Sequence, residues 1–262
     1  MHTIVCLKVV PKSEEVTIDE ETKTLDRSKA RSEINPPDMN ALEMALMLKE
    51  RHGGDVSLLA MGPPLFEPYL RLGLAMGADR AFLMSDRAFG GADTLATSYV
   101  LAEGVRAIGS FDLVLCGDES SDGATGQVPP GIAEWLGLPQ VTYAHRVDVS
   151  DGSLRARREL GAGSEVVEVD LPCVISVKHD ANEPRFLDDG RWGWAMNEAP
   201  VQIWSATDLD LDLEKAGVPG SPTAVAGVSV AKGADRRREF LSGSPEEIAA
   251  QLADKIRAWV RP

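Results

Sequence analysis

The sequence lacks several features that would identify a class of protein at once. Its three cysteines, Cys6, Cys116 and Cys173, are widely spaced in apolar runs, which suits neither a disulfide framework nor a metal site. The four histidines show no ligand spacing either, so no metal site is predicted. No run approaches the ~18 apolar residues of a membrane span. The N-terminus, MHTIVCLKVV, has no signal-peptide pattern, so we expect a cytoplasmic protein without membrane insertion.

Basic residues are scarce relative to acidic ones. The chain has 27 Lys and Arg against 41 Asp and Glu, a formal net charge of −14. This balance argues against nucleic acid and anionic membranes as partners, because both bind basic patches. No nucleophile–base pair and no paired carboxylates at useful spacing are present, so no catalytic residue is predicted. The 262 residues, 44% of them hydrophobic, suit one large domain or one domain with an appended arm.

Short apolar runs alternate with helical patterns over roughly the first 145 residues. The predicted strands are Thr3–Val10, Asp55–Met61, Ala81–Met84, Phe111–Cys116 and Pro139–Tyr143. This rhythm predicts an α/β fold, an open and mainly parallel sheet with helices on both faces and right-handed crossovers. Ligands of such sheets bind beyond the carboxyl ends of the strands, where the strand order reverses.

Shorter patterns surround this core. Thr17–Asp19 and Thr24–Asp26 suggest a small hairpin, and either Asp38 or Asn40 is expected to cap the helix that follows. After Val147 the pattern predicts a small antiparallel extension. Its strands would be Leu154–Leu160, Glu165–Asp170 and Cys173–Val177.

The C-terminal part is less regular. The acidic segment, Val201–Thr223, is punctuated by Gly and Pro and is expected to be too polar for a core. Ser244 with Glu247 forms a capping-box pattern that opens a final helix. We therefore divide the chain into an α/β domain with its antiparallel extension, residues 1–185, and a partner-docking arm with a C-terminal helix, residues 186–262.

The glycine-rich loop, Gly117–Pro129, separates a predicted strand from a predicted helix. Its roughly dozen residues exceed the usual two to six of such a connection. A long loop leading into a helix N-terminus offers backbone N–H groups to an anion. It is therefore a candidate phosphate-binding loop, and the alternative is a polar surface loop.

Part of this loop carries a family resemblance. DGATGQVPP, Asp122–Pro130, followed by IAEWLGLPQ, resembles the nucleotide-binding loop of the beta subunit of electron-transfer flavoproteins. Ala124, Gly126 and Pro129 depart from the usual Asp, Ala and Gly, and Pro129 removes a backbone donor. The run Gly73–Val105 resembles the members of the family that bifurcate electrons.

The resemblance implies a set of residues that bind a cofactor. Several keep an ordinary structural alternative: Lys8 as a strand-end residue that reaches solvent, Asn35 as a pre-helix turn, Asp93 as a helix N-cap, and Thr94 with Thr97 as a polar helix face. The implied cofactor-binding residues are Cys6, Lys8, Asn35, Asp38, Met61, Asp93, Thr94, Thr97, Asp122, Gly123, Thr125, Gly126, Gln127 and Val128.

A second implied set docks partner enzymes. Asn182, Glu183, Pro184 and Arg185 resemble the family's recognition loop. Nearby, Trp192 and Trp194 are two residues apart, so they would face the same side of a strand and serve as interface anchors. Alternatively, both tryptophans cover the protein's own core.

The resemblance implies a function in electron transfer. The chain would form a heterodimer with an FAD-bearing alpha subunit and pass electrons between dehydrogenases, acyl-CoA dehydrogenase or another, and an acceptor chain. The bifurcating type would hold a second FAD, with NADH as substrate, whereas the simple type would hold AMP. Two alternatives stay open: a stand-alone adenine-nucleotide-binding regulatory module, and a structural subunit left empty by Ala124 and Pro129.

Overall fold

The computed structural model describes residues 1–12, 17–18, 25–26, 31–161, 163–225 and 238–260. The chain divides into two compact units, Met1–Gly227 and Val228–Pro262, which are described separately. No helix within the described ranges is long and apolar enough to cross a membrane.

Strands and helices alternate through most of the first unit. The strands are β1 (His2–Leu7), β2 (Val9–Pro11), β3 (Thr17–Ile18), β4 (Leu25–Asp26), β5 (Ser32–Ile34), β6 (Asp55–Met61), β7 (Arg80–Met84), β8 (Leu113–Gly117), β9 (Gln140–Ser150), β10 (Ser153–Leu160), β11 (Gly163–Asp170), β12 (Cys173–Val177) and β13 (Val201–Trp204). The helices are α1 (Pro36–His52), α2 (Glu67–Met76), α3 (Thr94–Ile108), α4 (Val128–Leu136) and α5 (Asp189–Asn197).

One large sheet organises this unit. Within the described residues nine strands pair in the order β11-β10-β9-β12-β8-β1-β6-β7-β13. The seven strands from β9 to β13 in this order are parallel, and β10 and β11 add an antiparallel hairpin at one edge. The predicted open, mainly parallel α/β sheet with a small antiparallel extension is confirmed. Two residues of each strand of the predicted small hairpin pair in antiparallel fashion as β3 and β4, whereas Asp19 and Thr24 lie outside the described residues.

Two hydrophobic cores cover the two faces of the sheet. Alternate residues of β1 enter different cores: Val5 and Leu7 pack with α1 and α2, whereas Ile4 and Cys6 pack with α3 and α4. β1 is buried almost throughout because it lies between both layers. The chain leaves β1 toward β6 and β7 on one side and returns through β8 on the other, so the order reverses between β1 and β8.

The prediction that Cys173–Val177 belongs to the antiparallel extension is wrong. This strand, β12, pairs in parallel with both β8 and β9 near the middle of the sheet. All five of its residues are buried, as expected of a strand covered on both faces. Four of its five residues are apolar, without the alternation seen in β11, and this was the sequence signal for its position.

The acidic segment is not excluded from the core. Its first four residues form β13, which pairs with β7 at the sheet edge, and Leu209 and Ala216 are buried. The backbone N–H of Ala206 donates to Asp86, and that of Asp212 donates to the Tyr99 hydroxyl. The expectation that this segment is too polar for a core is therefore wrong. Its few apolar residues are buried in the first unit, and its backbone N–H groups donate hydrogen bonds to side chains there. The first compact unit accordingly continues past residue 185 to Gly227.

Trp192 and Trp194 lie on a helix rather than a strand. Asp188 caps α5 by accepting a hydrogen bond from the Gly190 N–H. Residues two apart on a helix do not share a face. Trp192 is 44% exposed, whereas Trp194 packs against the core and its ring lies 4.9 Å from the Arg191 guanidinium carbon. The prediction of a shared side is wrong, and only Trp192 keeps the exposure of an interface anchor.

The second unit contains the helix α6, Pro245–Val260. The Ser244 N–H donates to Glu247 Oε2 at 2.8 Å, and the Glu247 N–H donates to Ser244 Oγ at 3.3 Å, so the predicted capping box is confirmed. Leu252, Ile256 and Trp259 recur along α6 at helical spacing with exposures of 46%, 47% and 77%. These three residues form one apolar stripe along α6.

Packing of α3 on the sheet gives a testable contrast between two helical glycines. A Cβ at Gly104 would lie 2.5 Å from Met84 Sδ and 3.1 Å from Leu59 Cδ2, whereas one at Gly193 in α5 would meet nothing within 4 Å. We expect Gly104→Ala to lower the free energy of unfolding by about 1–2 kcal/mol, because overpacking exceeds the gain in helix propensity. Gly193→Ala should raise it by up to ~1 kcal/mol. Urea denaturation measures both, and a Gly104→Ala protein as stable as the parent contradicts the packing described.

Candidate functional site

The reversal of strand order places one carboxylate between the ends of β1 and β8. Asp38 Oδ2 accepts a hydrogen bond from the Lys8 N–H at 2.7 Å, and Asp38 Oδ1 accepts one from the Gly117 N–H at 3.0 Å. A Cβ at Gly117 would lie 2.4 Å from Asp38 Oδ1 and 2.6 Å from Pro37 Cβ, so glycine is required for this approach. The crevice where α/β sheets bind ligands therefore begins at Asp38.

The start of α1 differs from the prediction. Neither Asp38 nor Asn40 caps the helix: the N-cap residue is Asn35, which makes no side-chain capping bond, and Pro36 and Pro37 fill the first turn. Prolines are tolerated there because those N–H groups have no partner in the helix. The Asn40 side chain instead donates to Asn182, and the Asp38 side chain holds the two strand ends.

Burial sets the protonation of Asp38. Desolvation raises the pKa of this carboxyl from 3.8 to about 7, although hydrogen bonds from the Lys8 N–H, the Asn35 side chain and the Gly117 N–H lower it. Asp38 is 6% exposed. Its charge therefore changes near neutral pH, at the point where the strand ends and α1 meet.

Asn35, the N-cap residue of α1, holds the glycine-rich loop against the start of this helix. Its Nδ2 donates to the Glu119 carbonyl oxygen at 2.9 Å, and its Oδ1 accepts from the Ser121 N–H at 3.0 Å. Asn35 is 1% exposed and has both ends of its amide satisfied. A mere pre-helix turn would not need such a side chain, so Asn35 has a structural role in shaping the loop.

Lys8 reaches the loop from the end of β1. Its Nζ lies 2.5 Å from Asp122 Oδ1 and 3.2 Å from Ser120 Oγ. The Lys8 side chain is 47% exposed, so the ammonium group remains accessible from solvent. The cation predicted at the carboxyl edge of the sheet thus lies beside the candidate phosphate-binding loop.

The loop runs into the N-terminus of α4, which begins at Val128, two residues earlier than predicted. Pro129 and Pro130 lack N–H groups, and the Gly131 N–H donates to the Gln127 carbonyl oxygen. No hydrogen bond from the Val128 N–H is found in the described part of the chain. A phosphate would meet this amide, exposed loop amides, the Ser120 and Thr125 hydroxyls and the Lys8 ammonium, a donor set that suits an anion.

Two predicted cofactor-binding stretches meet at this loop. Thr94 Oγ1 donates to Gln127 Oε1 at 2.8 Å, so the start of α3 contacts the loop. Thr97 lies one turn further along α3, as the spacing predicts. Gly123 and Gly126 lie within the loop itself, and Gly126 has a φ of 62°.

Asp93 is used by the protein's own chain. Its carboxylate accepts from the Leu95 and Ala96 N–H groups as the N-cap of α3, and also from the N–H and hydroxyl of Thr223. The Asp93 N–H donates to Ser221 Oγ at 2.8 Å. The alternative interpretation of Asp93 as an N-cap is confirmed, and the residue also anchors the acidic segment.

The remaining cofactor-binding candidates lie deeper. Cys6 is 6% exposed and packs in the core beneath the crevice, and Met61 is partly buried against the same cluster. A hydrogen bond with Cys6, together with burial, raises the pKa of the Cys116 thiol well above its usual range. Cys6 therefore lies below the polar residues of the crevice rather than among them.

The predicted docking residues make internal contacts. The Arg185 guanidinium donates to both carboxylate oxygens of Glu43, at 2.8 and 2.9 Å, and to Glu50 at 2.6 Å, and these contacts raise its pKa. Asn182 exchanges hydrogen bonds with Asn40. Next to Arg185, Phe186 is 96% exposed. The motif thus binds this loop to α1 and leaves Phe186 in solvent.

Sequence patterns missed three residues of the site. Asp118 follows Gly117, is 5% exposed, and its Oδ2 lies 3.6 Å from His179 Nδ1. Tyr143 lies within β9 at a φ of 58°. Its position in a regular strand pattern gave no sign of this conformation. The adjacency of Asp118 and His179 depends on the pairing of β8 with β12, which the sequence does not show. In the described part of the chain no cluster of residues suits a metal ion.

The fold and the crevice define a doubly wound α/β protein with a candidate ligand site at the reversal of strand order. Comparison with known proteins specifies the class further. A model of the electron transfer flavoprotein domain matches residues 22–209. The electron transfer flavoprotein subunit beta of Clostridium acetobutylicum is 43% identical over 257 residues, covering 98% of each chain.

Two other known proteins are similar to this chain over most of their length. The caffeyl-CoA reductase-Etf complex subunit CarD of Acetobacterium woodii is 42% identical over 259 residues, covering 98% of each chain. Protein FixA of Azorhizobium caulinodans is 44% identical over 235 residues, covering 86% of this chain and 83% of FixA. The chain belongs to the electron-transfer flavoprotein family, on its beta-subunit side, and this membership assigns it a part in electron transfer.

The buried carboxyl of Asp38 predicts a pH dependence of stability. Its pKa is raised from 3.8 to about 7 in the folded chain, so its contribution is fully present below the unfolded pKa and is lost as the pH rises through 7. Asp38→Asn removes this titration. The free energy of unfolding of the parent, relative to the variant, should increase by about 2–3 kcal/mol from pH 8 to pH 5. Urea denaturation across this range measures it, and a constant difference would show that Asp38 stays ionised.

Proposed function

We propose that this chain is the beta subunit of a heterodimeric electron-transfer flavoprotein and binds FAD in the crevice between β1 and β8. The alpha subunit would carry another FAD, and the complex would pass electrons between a dehydrogenase and an acceptor chain. The observation that carries this proposal is the meeting of Lys8, Asn35, Thr94 and the glycine-rich loop at one strand edge. These residues come from separate parts of the sequence, and the family resemblance independently implies that Lys8, Asn35 and Thr94 bind a cofactor.

The residues of this chain would bind and orient the cofactor. A bound flavin supplies the redox chemistry, and the protein supplies position and electrostatics. Lys8 would provide a positive charge, and Ser120, Thr125 and the loop amides would donate hydrogen bonds to the phosphate groups. Asn35 and Asp38 would act from beneath by fixing the loop and the strand ends.

The choice between FAD and AMP rests on the resemblance of residues 73–105 to bifurcating members. Small residues before and at the start of α3, Gly90, Gly91, Ala92 and Ala96, also favour a ligand as large as a flavin ring. Gly91 is accounted for differently, because a Cβ there would lie 2.7 Å from Val218 Cγ2. The Thr94 and Thr97 hydroxyls remain as partners for a flavin's ribityl or phosphate groups. In the bifurcating type that we favour, NADH would reduce one of the two flavins.

A partner chain is supported by the exposed stripe of α6. Leu252, Ile256 and Trp259 present a continuous apolar surface at helical spacing, which a stand-alone regulatory module would have no reason to expose. The acidic segment does not distinguish the two proposals, because it is part of the first unit and packs there. One relative is named as the subunit of a caffeyl-CoA reductase-Etf complex. This supports a CoA-linked oxidoreductase as the class of electron-transfer partner.

Cofactor stoichiometry tests the proposal directly. We expect the heterodimer, purified after co-expression of the chain with an alpha subunit, to release two FAD molecules per complex, and NADH to reduce one of them. Mass spectrometry of the extracted nucleotides and the visible absorption spectrum measure both. One FAD plus one AMP without reduction by NADH would identify the simple type. Recovery of the alpha-subunit FAD alone would show that this crevice is empty.

The partner surface has its own test. Trp259→Glu should weaken association with the alpha subunit at least tenfold, since it places a charge on the apolar stripe of α6, and exposed aromatic anchors contribute about 2 kcal/mol or more to interfaces. Ala250→Glu on the opposite side of α6 is the matched control and should leave association unchanged. Analytical ultracentrifugation of the mixed subunits compares them. Equal dissociation constants for both variants and the parent would exclude the stripe from the interface.

A further inference from the structure

Tyr143 has a backbone conformation that its strand does not explain. It lies within β9 at a φ of 58°, a region that bulky residues rarely occupy. The pairing of β9 with β12 changes register here, between Ile175 and Val177. The Tyr143 N–H leaves the regular ladder and donates to Ser176 Oγ at 2.9 Å, and Ser176 is 2% exposed. A buried serine thus holds the irregular turn of the strand in place.

This conformation brings the Tyr143 side chain to the glycine-rich loop. A Cβ at Gly126 would lie 3.0 Å from the Tyr143 hydroxyl and 4.0 Å from its Cζ. The ring is 41% exposed, so Tyr143 both contacts the loop and faces solvent. Strained residues of this kind cluster at ligand sites, where the surrounding structure holds them in position.

The hydroxyl of Tyr143 differs from those of the other two tyrosines. The Tyr69 hydroxyl donates to the Ser32 carbonyl oxygen, and the Tyr99 hydroxyl accepts from the Asp212 N–H. In the described part of the chain no hydrogen bond of the Tyr143 hydroxyl is found. It is therefore a donor available at the loop.

The charges around the loop make a neutral donor useful there. The loop carries three acidic residues, Asp118, Glu119 and Asp122, and the Asp122 carboxylate lies 2.5 Å from Lys8 Nζ, the cation that reaches the loop from β1. A phosphate would be repelled by these carboxylates. Pro129 and Pro130 also remove two of the amides that a helix N-terminus ordinarily offers. A hydroxyl beside Gly126 would replace part of what these prolines remove.

We infer that Tyr143 is a ligand-contacting residue whose phenolic O–H donates to a phosphate oxygen of the adenine-containing cofactor. The inference rests on the proposed function, because it uses the same crevice and the same ligand. It adds a residue that neither the loop motif nor the helix start contains. It also gives a reason for the irregular turn in β9, which aims this side chain at Gly126.

The test removes only the hydroxyl. In the full chain freed of co-purified nucleotide, we expect Tyr143→Phe to weaken AMP binding roughly tenfold, the size of one hydrogen bond to a charged group. Adenosine, which lacks the phosphate, should bind the parent and the variant equally. Tyr69→Phe is the matched control, since its hydroxyl lies on a different contact, and should change neither affinity. Isothermal titration calorimetry measures all three proteins with both ligands.

Three other outcomes would contradict the inference. Unchanged AMP affinity in Tyr143→Phe overturns the inference and leaves the proposed function standing. An equal loss for AMP and adenosine also overturns it, because it shows that the ring supports the loop without contacting the phosphate. If the parent binds neither AMP nor FAD, alone or in the heterodimer, the proposed crevice is wrong and the inference falls with it.

Discussion

The structure depends on the carboxylate of Asp38 at the reversal of strand order. β1 and β8 are neighbours, but their chains depart toward helices on opposite faces of the sheet, so the hydrogen-bond ladder between them cannot continue past their ends. Asp38 accepts hydrogen bonds from the Lys8 and Gly117 N–H groups, which have no partner in the ladder. An unpaired buried N–H costs free energy comparable to a lost hydrogen bond. One side chain therefore joins α1 to both strands, and the crevice takes its shape from that junction.

Several polar residues of the family motifs hold the chain together. Asn35 shapes the glycine-rich loop, Asp93 joins α3 to the acidic segment, and Arg185 fastens its loop to Glu43 on α1. Each satisfies buried or half-buried hydrogen-bond donors or acceptors, so its removal would leave partners unpaired. Other groups near these motifs are exposed and therefore accessible to a ligand or a partner. They include the Lys8 ammonium, the Phe186 ring and the loop amides.

The site could be predicted only in part. Lys8, Thr94 and Gln127 were identified from the resemblance, and the fold then brought them together at the glycine-rich loop. Asp38 was expected as a helix cap because its position before an apolar run is typical of one. In the structure its carboxylate oxygens instead accept hydrogen bonds from the Lys8 and Gly117 N–H groups at the reversal of strand order. Tyr143 and Asp118 gave no signal, since a strand pattern carries no record of a positive φ and no record of which strand lies alongside.

The sequence by itself determined the local elements: the apolar run and the residues that bound it placed the ends of β6 where the structure has them, and the capping box opened α6. Only the tertiary structure decided the order of the strands, the parallel pairing of β12, and the attachment of the acidic segment. Local propensity and periodicity act over a few residues. Strand order and the contacts of Asp38 join residues distant in the chain, where the partner, rather than the residue type, decides which hydrogen bond forms.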